Sequence, residues 1–252
     1  NPTDGNVKTV TDGLTDGSHT VVVTDTDAAG NVGSASLTFT LDKTLPTVVI
    51  TDDRAGTTNG DITYTFTFSE AVSGFVAGDV TVGNGTKGTF TQLSDNVYTL
   101  VVTPTASSTA NVTVDVAAGV ATDLAGNGNV VAAQSVQSVD TVAPTVTSVA
   151  LTSASGAQSS TLNAGDVVYA TVTLSEAVTV GGTPQLELNV GGTPVQANYV
   201  SGSGSTKLVF SYTIASGQTD ANGISVAANK LTLPTGASIT DAVGNAATLT
   251  HV

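Results

Sequence analysis

The chain has 252 residues, no Cys, Met or Trp, 4% aromatic residues, and six Lys and Arg against twenty Asp and Glu, a net charge of −14. Without Cys the fold does not depend on oxidation, and no Cys/His zinc spacing exists. The acidity argues against a nucleic-acid partner, because phosphate contacts need a basic surface. The longest apolar runs, such as residues 116–121, are far too short to span a membrane, so no membrane insertion is expected in this segment. The remaining residues are rich in Thr, Val, Ala, Gly and Ser, with no sustained 3.6-residue apolar period, which predicts strands and turns.

In chain order, residues 1–43 read as the C-terminal part of a domain. Asp12-Gly13 and Asp16-Gly17 are turn dipeptides. Strands are predicted at 18–24 and 32–41, with a loop between them. Two strands are too few to close a sandwich, so the first domain is expected to be incomplete: either a cut piece of a longer chain or a fold completed by a neighbouring chain. Two linkers follow, LDKTLP at 41–46 and VDTVAP at 139–144, each with an Asp four residues before a Pro. Pro stiffens the entry into the next strand.

These linkers delimit the next two domains, 44–141 and 142–252. Seven strands are predicted in the first of these, at 47–51, 63–68, 79–82, 88–92, 97–102, 111–116 and 130–138. Turn signals at 58–61, 83–85 and 94–96 separate several of them. The last domain repeats the plan at 145–151, 167–174, 184–190, 195–200, 207–212, 223–226 and 246–251, with room for an extra strand or short helical turn in the loops 219–223 and 228–239. Seven short strands per domain imply an all-β protein of tandem immunoglobulin-like β-sandwiches in an extended rod.

One motif occurs three times: TDAAGN at 26–31, TDLAGN at 122–127 and TDAVGN at 240–245. A second occurs twice, TFTFSEAV at 65–72 and TVTLSEAV at 171–178, placing Glu70 and Glu176 just past the end of the second strand. Strand parity then makes a geometric prediction. The linker Asp precedes strand one, the Glu follows strand two and the Asp-x-x-Gly-Asn loop follows strand six, so all three share the entrance pole. Asp42, Glu70, Asp123 and Asn127 are expected to converge, as are Asp140, Glu176, Asp241 and Asn245. Asp27 and Asn31, with Asp25 in a D-x-D pair, are candidates for a like site at the first domain's own entrance. Asp16 is a weaker candidate near Asp42, and Asp52, Asp53, Asp61 and Asp166 weaker still, at strand ends where ordinary turns suffice.

Clustered carboxylates repel, and the chain has too few cations to compensate. A hard divalent cation compensates, and Ca²⁺ takes six to eight oxygens from carboxylates, amides, carbonyls and water. Magnesium, which retains its own waters, suits such a site less well. For any one loop the competing reading is that Asp, Asn and Gly simply form turns. The repetition of the set at one pole favours metal.

The stretches SHTVVVTDTDAAGNVGSASLTFTLDKTLP, FSEAV with FVAGDVTVGNG and TDLAGN, and LSEAV with TDAVGN resemble bacterial immunoglobulin-like (Big) repeats of giant adhesins and biofilm-associated surface proteins. That resemblance implies a stalk of the RTX adhesin kind, exported by type I secretion and rigidified by calcium between domains. It also implies an extracellular, cell-surface location and neighbouring repeats as the main partners. No catalytic constellation accompanies it. His19 and His251 lack a nucleophile elbow, and Glu70 and Glu176 fall in different domains. The rival readings are a glycan- or receptor-binding module, or a subunit of a surface filament. The aromatics Phe66, Phe68, Tyr98, Phe210 and Tyr212 read chiefly as core.

Overall fold

A computed structural model of the chain describes residues 13–158 and 161–252; Asp12 of the first expected turn lies outside them. The chain forms two compact units. Unit 1 comprises Asn1–Asp53, Asp61–Thr103 and Val112–Gln137, and unit 2 comprises Arg54–Gly60, Pro104–Asn111 and Ser138–Val252. The three expected segments map onto these unevenly. Residues 13–43 and most of 44–141 fall in unit 1, while two loops of 44–141 group with the last segment.

Unit 1 opens with a hairpin of β1 (Gly17–Thr26) and β2 (Val32–Leu41), paired from Gly17↔Leu41 to Thr26↔Val32. β2 covers the expected 32–41, while β1 is longer than the expected 18–24 because pairing continues to the edge of the TDAAGN loop. Val22, Val23, Val32 and Leu37 remain exposed.

Seven strands follow: β3 (Val48–Asp52), β4 (Ile62–Phe68), β5 (Val80–Gly83), β6 (Gly85–Ser94), β7 (Val97–Pro104), β8 (Val112–Val116) and β9 (Ser135–Gln137). They make one sheet in the order β3-β4-β7-β6 and a second in the order β5-β8-β9. Counted from the first strand this is 1-2-5-4 and 3-6-7, the ABED and CFG arrangement of a constant-type immunoglobulin sandwich. Alternation explains the layering. On β4, Ile62, Tyr64, Phe66 and Phe68 point inward and are at most 1% exposed, while the intervening Thr residues face out. On β7 and β8, Tyr98, Leu100, Val102, Val112, Val114 and Val116 complete the core. Phe75 and Tyr98 stand edge-on to Phe68 at ring separations of 5.1 and 5.9 Å. The turns at 83–85 and 94–96 form as predicted; Asn84 takes φ of +56°, a left-handed value that Asn tolerates. The expected strand at 130–138 shrinks to β9. Val130 N–H instead donates to Pro46 O (2.9 Å), which draws that segment toward the linker rather than into a ladder.

In unit 2 the strands are β10 (Val146–Ser155), β11 (Val167–Gly181), β12 (Gln185–Val190), β13 (Thr193–Ser201), β14 (Ser205–Thr213), β15 (Leu231–Thr232) and β16 (Ser238–Thr240). Here the third and fourth strands form a hairpin, so hydrogen bonding runs continuously through β10-β11-β14-β13-β12-β15, with β16 on β11. Val168, Ala170, Val172, Leu186, Leu188, Leu208 and Phe210 fill the core.

Two expectations are corrected here. The strand at 223–226 reduces to a single bridge, Asn189↔Ser225. The chain resumes against β12 as β15 and then turns at Pro234 and Gly236 (φ +82°) into β16. Pro, lacking an N–H, and Gly, in a left-handed conformation, separate β15 from β16 in the region where an extra strand or short helical turn was expected. The strand at 246–251 likewise reduces to bridges, among them Thr145↔Thr248 and Thr240↔Ala246.

Candidate metal centres

The SEAV segment of unit 2 lies within β11 rather than beyond its end. Thr173 faces Lys207 and Val178 faces Ser205, so β11 advances five residues while β14 advances two. This bulge turns Glu176 out of the ladder, as bulges do when they re-aim a side chain. In unit 1 the equivalent residues leave β4 at Phe68, and Glu70 sits in the bend that follows. Past the Glu the two segments pair alike. Ser73 bridges Thr122 in unit 1, and Thr179 pairs Thr240 in unit 2. Each pairing sets the start of the Asp-x-x-Gly-Asn loop beside the Glu.

The loop itself is fixed by its own hydrogen bonds. In unit 1, Asp123 Oδ1 accepts the Asn127 N–H (2.8 Å) and Oδ2 accepts Asn127 Nδ2 (2.9 Å), while Asp123 N–H donates to Asn127 O (3.1 Å). Asp241 and Asn245 repeat these bonds at 2.8, 2.6 and 3.1 Å. Gly126 (φ +91°) and Gly244 (φ +96°) take the left-handed conformation that closes the turn.

The linkers are held the same way. Asn127 Nδ2 donates to Asp42 O (3.1 Å) and Asn245 Nδ2 to Asp140 O (2.9 Å). Thr44 N–H and Val142 N–H donate to the Asp42 and Asp140 carboxylates, both at 3.0 Å. The Ser of each SEAV motif closes the arrangement: Ser69 Oγ accepts Thr47 N–H and Ser175 Oγ accepts Thr145 N–H, again both at 3.0 Å.

Two acidic clusters result. Asp42, Glu70 and Asp123 each present a carboxylate oxygen, all within 4.8 Å of one another, and Asp140, Glu176 and Asp241 do the same. Asp123 and Asp241 are buried, at 6% and 5% exposure. A calcium ion holds oxygens at 2.3–2.6 Å, so its sphere is about 4.6–5.2 Å across. Three carboxylates confined to that span can reach one such ion. The donors are all oxygen, with no Cys or His among them, which matches a hard cation.

The electrostatics follow from the crowding. Burial, then the neighbouring Asp123 and Asp42, push the Glu70 carboxyl above its usual range. Burial, then Asp140 and Asp241, do the same to Glu176. Burial also pushes Asp123 up, but the hydrogen bonds from the Asn127 side chain and backbone outweigh it and leave the carboxyl below its ordinary value. The first cluster therefore pairs a hydrogen-bonded Asp123, whose ionised form is favoured, with a Glu that the site's own charge penalises.

The Asn residues take a different part from the expected one. Both face two acceptors, a carboxylate oxygen and a main-chain carbonyl, so the amide turns its nitrogen toward the acids. Asn127 and Asn245 thus position Asp123 and Asp241 and tie them to the linker, and their side-chain oxygens face away.

The third loop has the local geometry without the cluster. Asp27 accepts Asn31 N–H (2.9 Å) and Asn31 Nδ2 (2.8 Å), and the Asn31 side chain holds the Asp27 carboxyl below its usual value. Asp25 lies opposite Gly33 on β1 and is exposed. Among the described residues no Glu or linker Asp joins Asp25, Asp27 and Asn31 in an acidic group. Asp16 does reach the first linker, where it accepts Lys43 N–H (3.0 Å) and Thr44 Oγ1 (2.6 Å). It caps the linker and stays outside the acidic group. Asp53, Asp61 and Asp166 accept bonds from Thr63, Thr103 and Asn163, as strand-end turns require. Asp52 lies outside the acidic groups as well. Phe66, Phe68, Tyr98 and Phe210 are buried, and Tyr212 is half-buried.

Sequence reasoning missed Asn129. It is 2% exposed, accepts Val120 and Ala121 N–H, and donates to Ala117 and Val130 O, pinning the approach to the TDLAGN loop. Nothing periodic marks it. The two Ser residues above are visible as part of the repeated SEAV string, in which only the Glu drew a prediction.

Residues 42–139 match the family model described as a bacterial Ig-like domain, and residues 2–43 match a second model with the same description. This stretch of the chain, 2–139, belongs to the bacterial Ig-like domains. Such domains are commonly repeats of surface proteins and are typically non-catalytic and extracellular or surface-exposed. No curated protein matches the chain. Among the described residues no helix is long and apolar enough to cross a membrane.

Proposed function

We propose that the chain is a segment of the stalk of a bacterial cell-surface adhesin, in which calcium bound at each linker stiffens the rod and supports adhesion and biofilm formation. The observation that carries this reading is the duplicated cluster, Asp42 with Glu70 and Asp123, and Asp140 with Glu176 and Asp241. One acid in each comes from the linker and two from the loops of the domain that follows. An ion held by all three fastens the linker to those loops. Emptied, the same acids repel and the linker is freed. Extracellular calcium modules bind at about 10⁻⁴ to 10⁻³ M, which leaves such sites empty inside a cell and filled outside it.

The test is small-angle scattering of the whole chain with millimolar calcium and again after EGTA, alongside a thermal melt. The reading predicts a longer maximum dimension and a higher melting temperature with calcium. An unchanged scattering profile and melting temperature on adding EGTA overturn it.

A further inference from the structure

The two clusters differ in one respect. In unit 2 the side-chain oxygen of Asn245 accepts a hydrogen bond from Asn59 Nδ2 (3.1 Å). Asn127, its counterpart in unit 1, accepts none on its side-chain oxygen among the described residues. Asn59 belongs to the loop between β3 and β4, and that loop is clamped to the second linker. Thr58 N–H donates to Ser138 O (3.1 Å), Asp140 N–H donates to Thr58 O (3.0 Å), and Thr58 and Val139 form a parallel bridge. Gly244 lies beside it with φ of +96°, and a Cβ there would meet Asn59 Nδ2 at 3.7 Å, an ordinary contact.

We infer that Asn59 is a positioning residue for the second cation site and sets a difference in affinity between the two sites. This rests on the calcium reading above. An amide can turn over and exchange its oxygen for its nitrogen at little steric cost. With Asn59 donating to its oxygen, Asn245 has one orientation that satisfies every partner. That orientation sends its nitrogen to Asp241 Oδ2 and Asp140 O, holding the buried acid and the linker in the arrangement the ion needs. At the first site the amide of Asn127 is oriented by its two acceptors alone. Partners beyond the direct ligands commonly change metal affinity by about 10- to 100-fold. Asn59 stands one bond further out than such a partner, so about 3- to 10-fold is expected.

The experiment is calorimetric titration of calcium into the full, chelator-treated chain. Glu70→Gln leaves the second site as the tighter one and Glu176→Gln the first, so the tighter binding phase reports each in turn. Adding Asn59→Ala to Glu70→Gln is expected to weaken calcium binding about 3- to 10-fold. Adding it to Glu176→Gln is expected to change nothing. The Asn245 side-chain amide resonances should shift in Asn59→Ala while those of Asn127 stay put, a signature that general loosening would not give. Asn59 is exposed, so its truncation leaves the core intact. Equal calcium affinity with and without Asn59→Ala in the Glu70→Gln background overturns this inference and leaves the calcium reading standing. Absence of calcium binding in the unmodified chain overturns both.

Discussion

Glu176→Gln is expected to have opposite effects with and without calcium. Glu176 sits in the β11 bulge, its carboxylate oxygen within 4.8 Å of those of Asp140 and Asp241, and burial and those two acids raise its pKa. In the calcium-free protein, replacing it by a neutral isostere removes like-charge repulsion, so the melting temperature should rise. With calcium, the same change removes one of three carboxylate ligands. A site with Kd near 0.5 mM stabilises by about 1.4 kcal/mol at 5 mM calcium, from RT ln(1 + [L]/Kd). For a domain of this size that is about 4–8 °C. A tenfold weaker site at the same calcium concentration gives about 0.4 kcal/mol, or roughly 1–2 °C. Differential scanning calorimetry of wild type and variant, in EGTA and in 5 mM calcium, resolves both signs. If Glu176→Gln keeps the full calcium-dependent gain, or melts lower than wild type in EGTA, the acids do not share an ion and the repulsion argument is wrong.

The pH dependence of the calcium-free protein should show a maximum. Glu70 and Glu176 have folded pKa values raised above the ordinary 4.5, so their ionisation opposes folding, and stability should increase as pH falls from 7 through the raised values. Asp123 is depressed below its ordinary 3.8, so its contribution is present above that value and is lost as pH falls through the folded one. Urea melts from pH 7 to pH 3 should therefore rise and then fall, and calcium should abolish the rise. Phe210→Ala, at a position with no exposure whose ring stands 6.0 Å from that of Tyr199, should cost about 3–5 kcal/mol in urea unfolding. Because Phe210 lies in the sandwich core and outside the acidic group, that cost should be the same with and without calcium.

Much of the site was legible because its residues recur in repeated strings. The Asp and Glu of TDxxGN and SEAV are short, polar and embedded in apolar alternation, so periodicity dates them to particular strand ends. Parity then assigns the ends to one pole, provided no strand is miscounted. In unit 2 the segments expected as strands at 223–226 and 246–251 form only bridges, yet the carboxylates of Asp140, Glu176 and Asp241 still come together. The turn at Pro234 and Gly236 separates β15 from β16, and the antiparallel pairing of β16 with β11 still brings the TDAVGN loop beside Glu176. What the sequence hid was the direction of an amide. Asn127 and Asn245 offer both an oxygen and a nitrogen, and only the acceptors facing them decide which points inward. Asn59 and Asn129 were hidden for a different reason. Their partners lie far along the chain or in irregular loops, where neither period nor motif marks them. The bulge that carries Glu176 was equally silent, since Leu174 to Val178 reads as plain continuation of a strand.

The segment matched as one domain begins on Asp42 and stops one residue before Asp140. Those bounds place every acid of the first cluster inside a single repeat, although one of them looks at first like part of the seam. Inserting or deleting a whole repeat at that point therefore adds or removes a complete set of acids and leaves no partial set behind. An array built this way can change length by recombination with no second mutation to repair the junction.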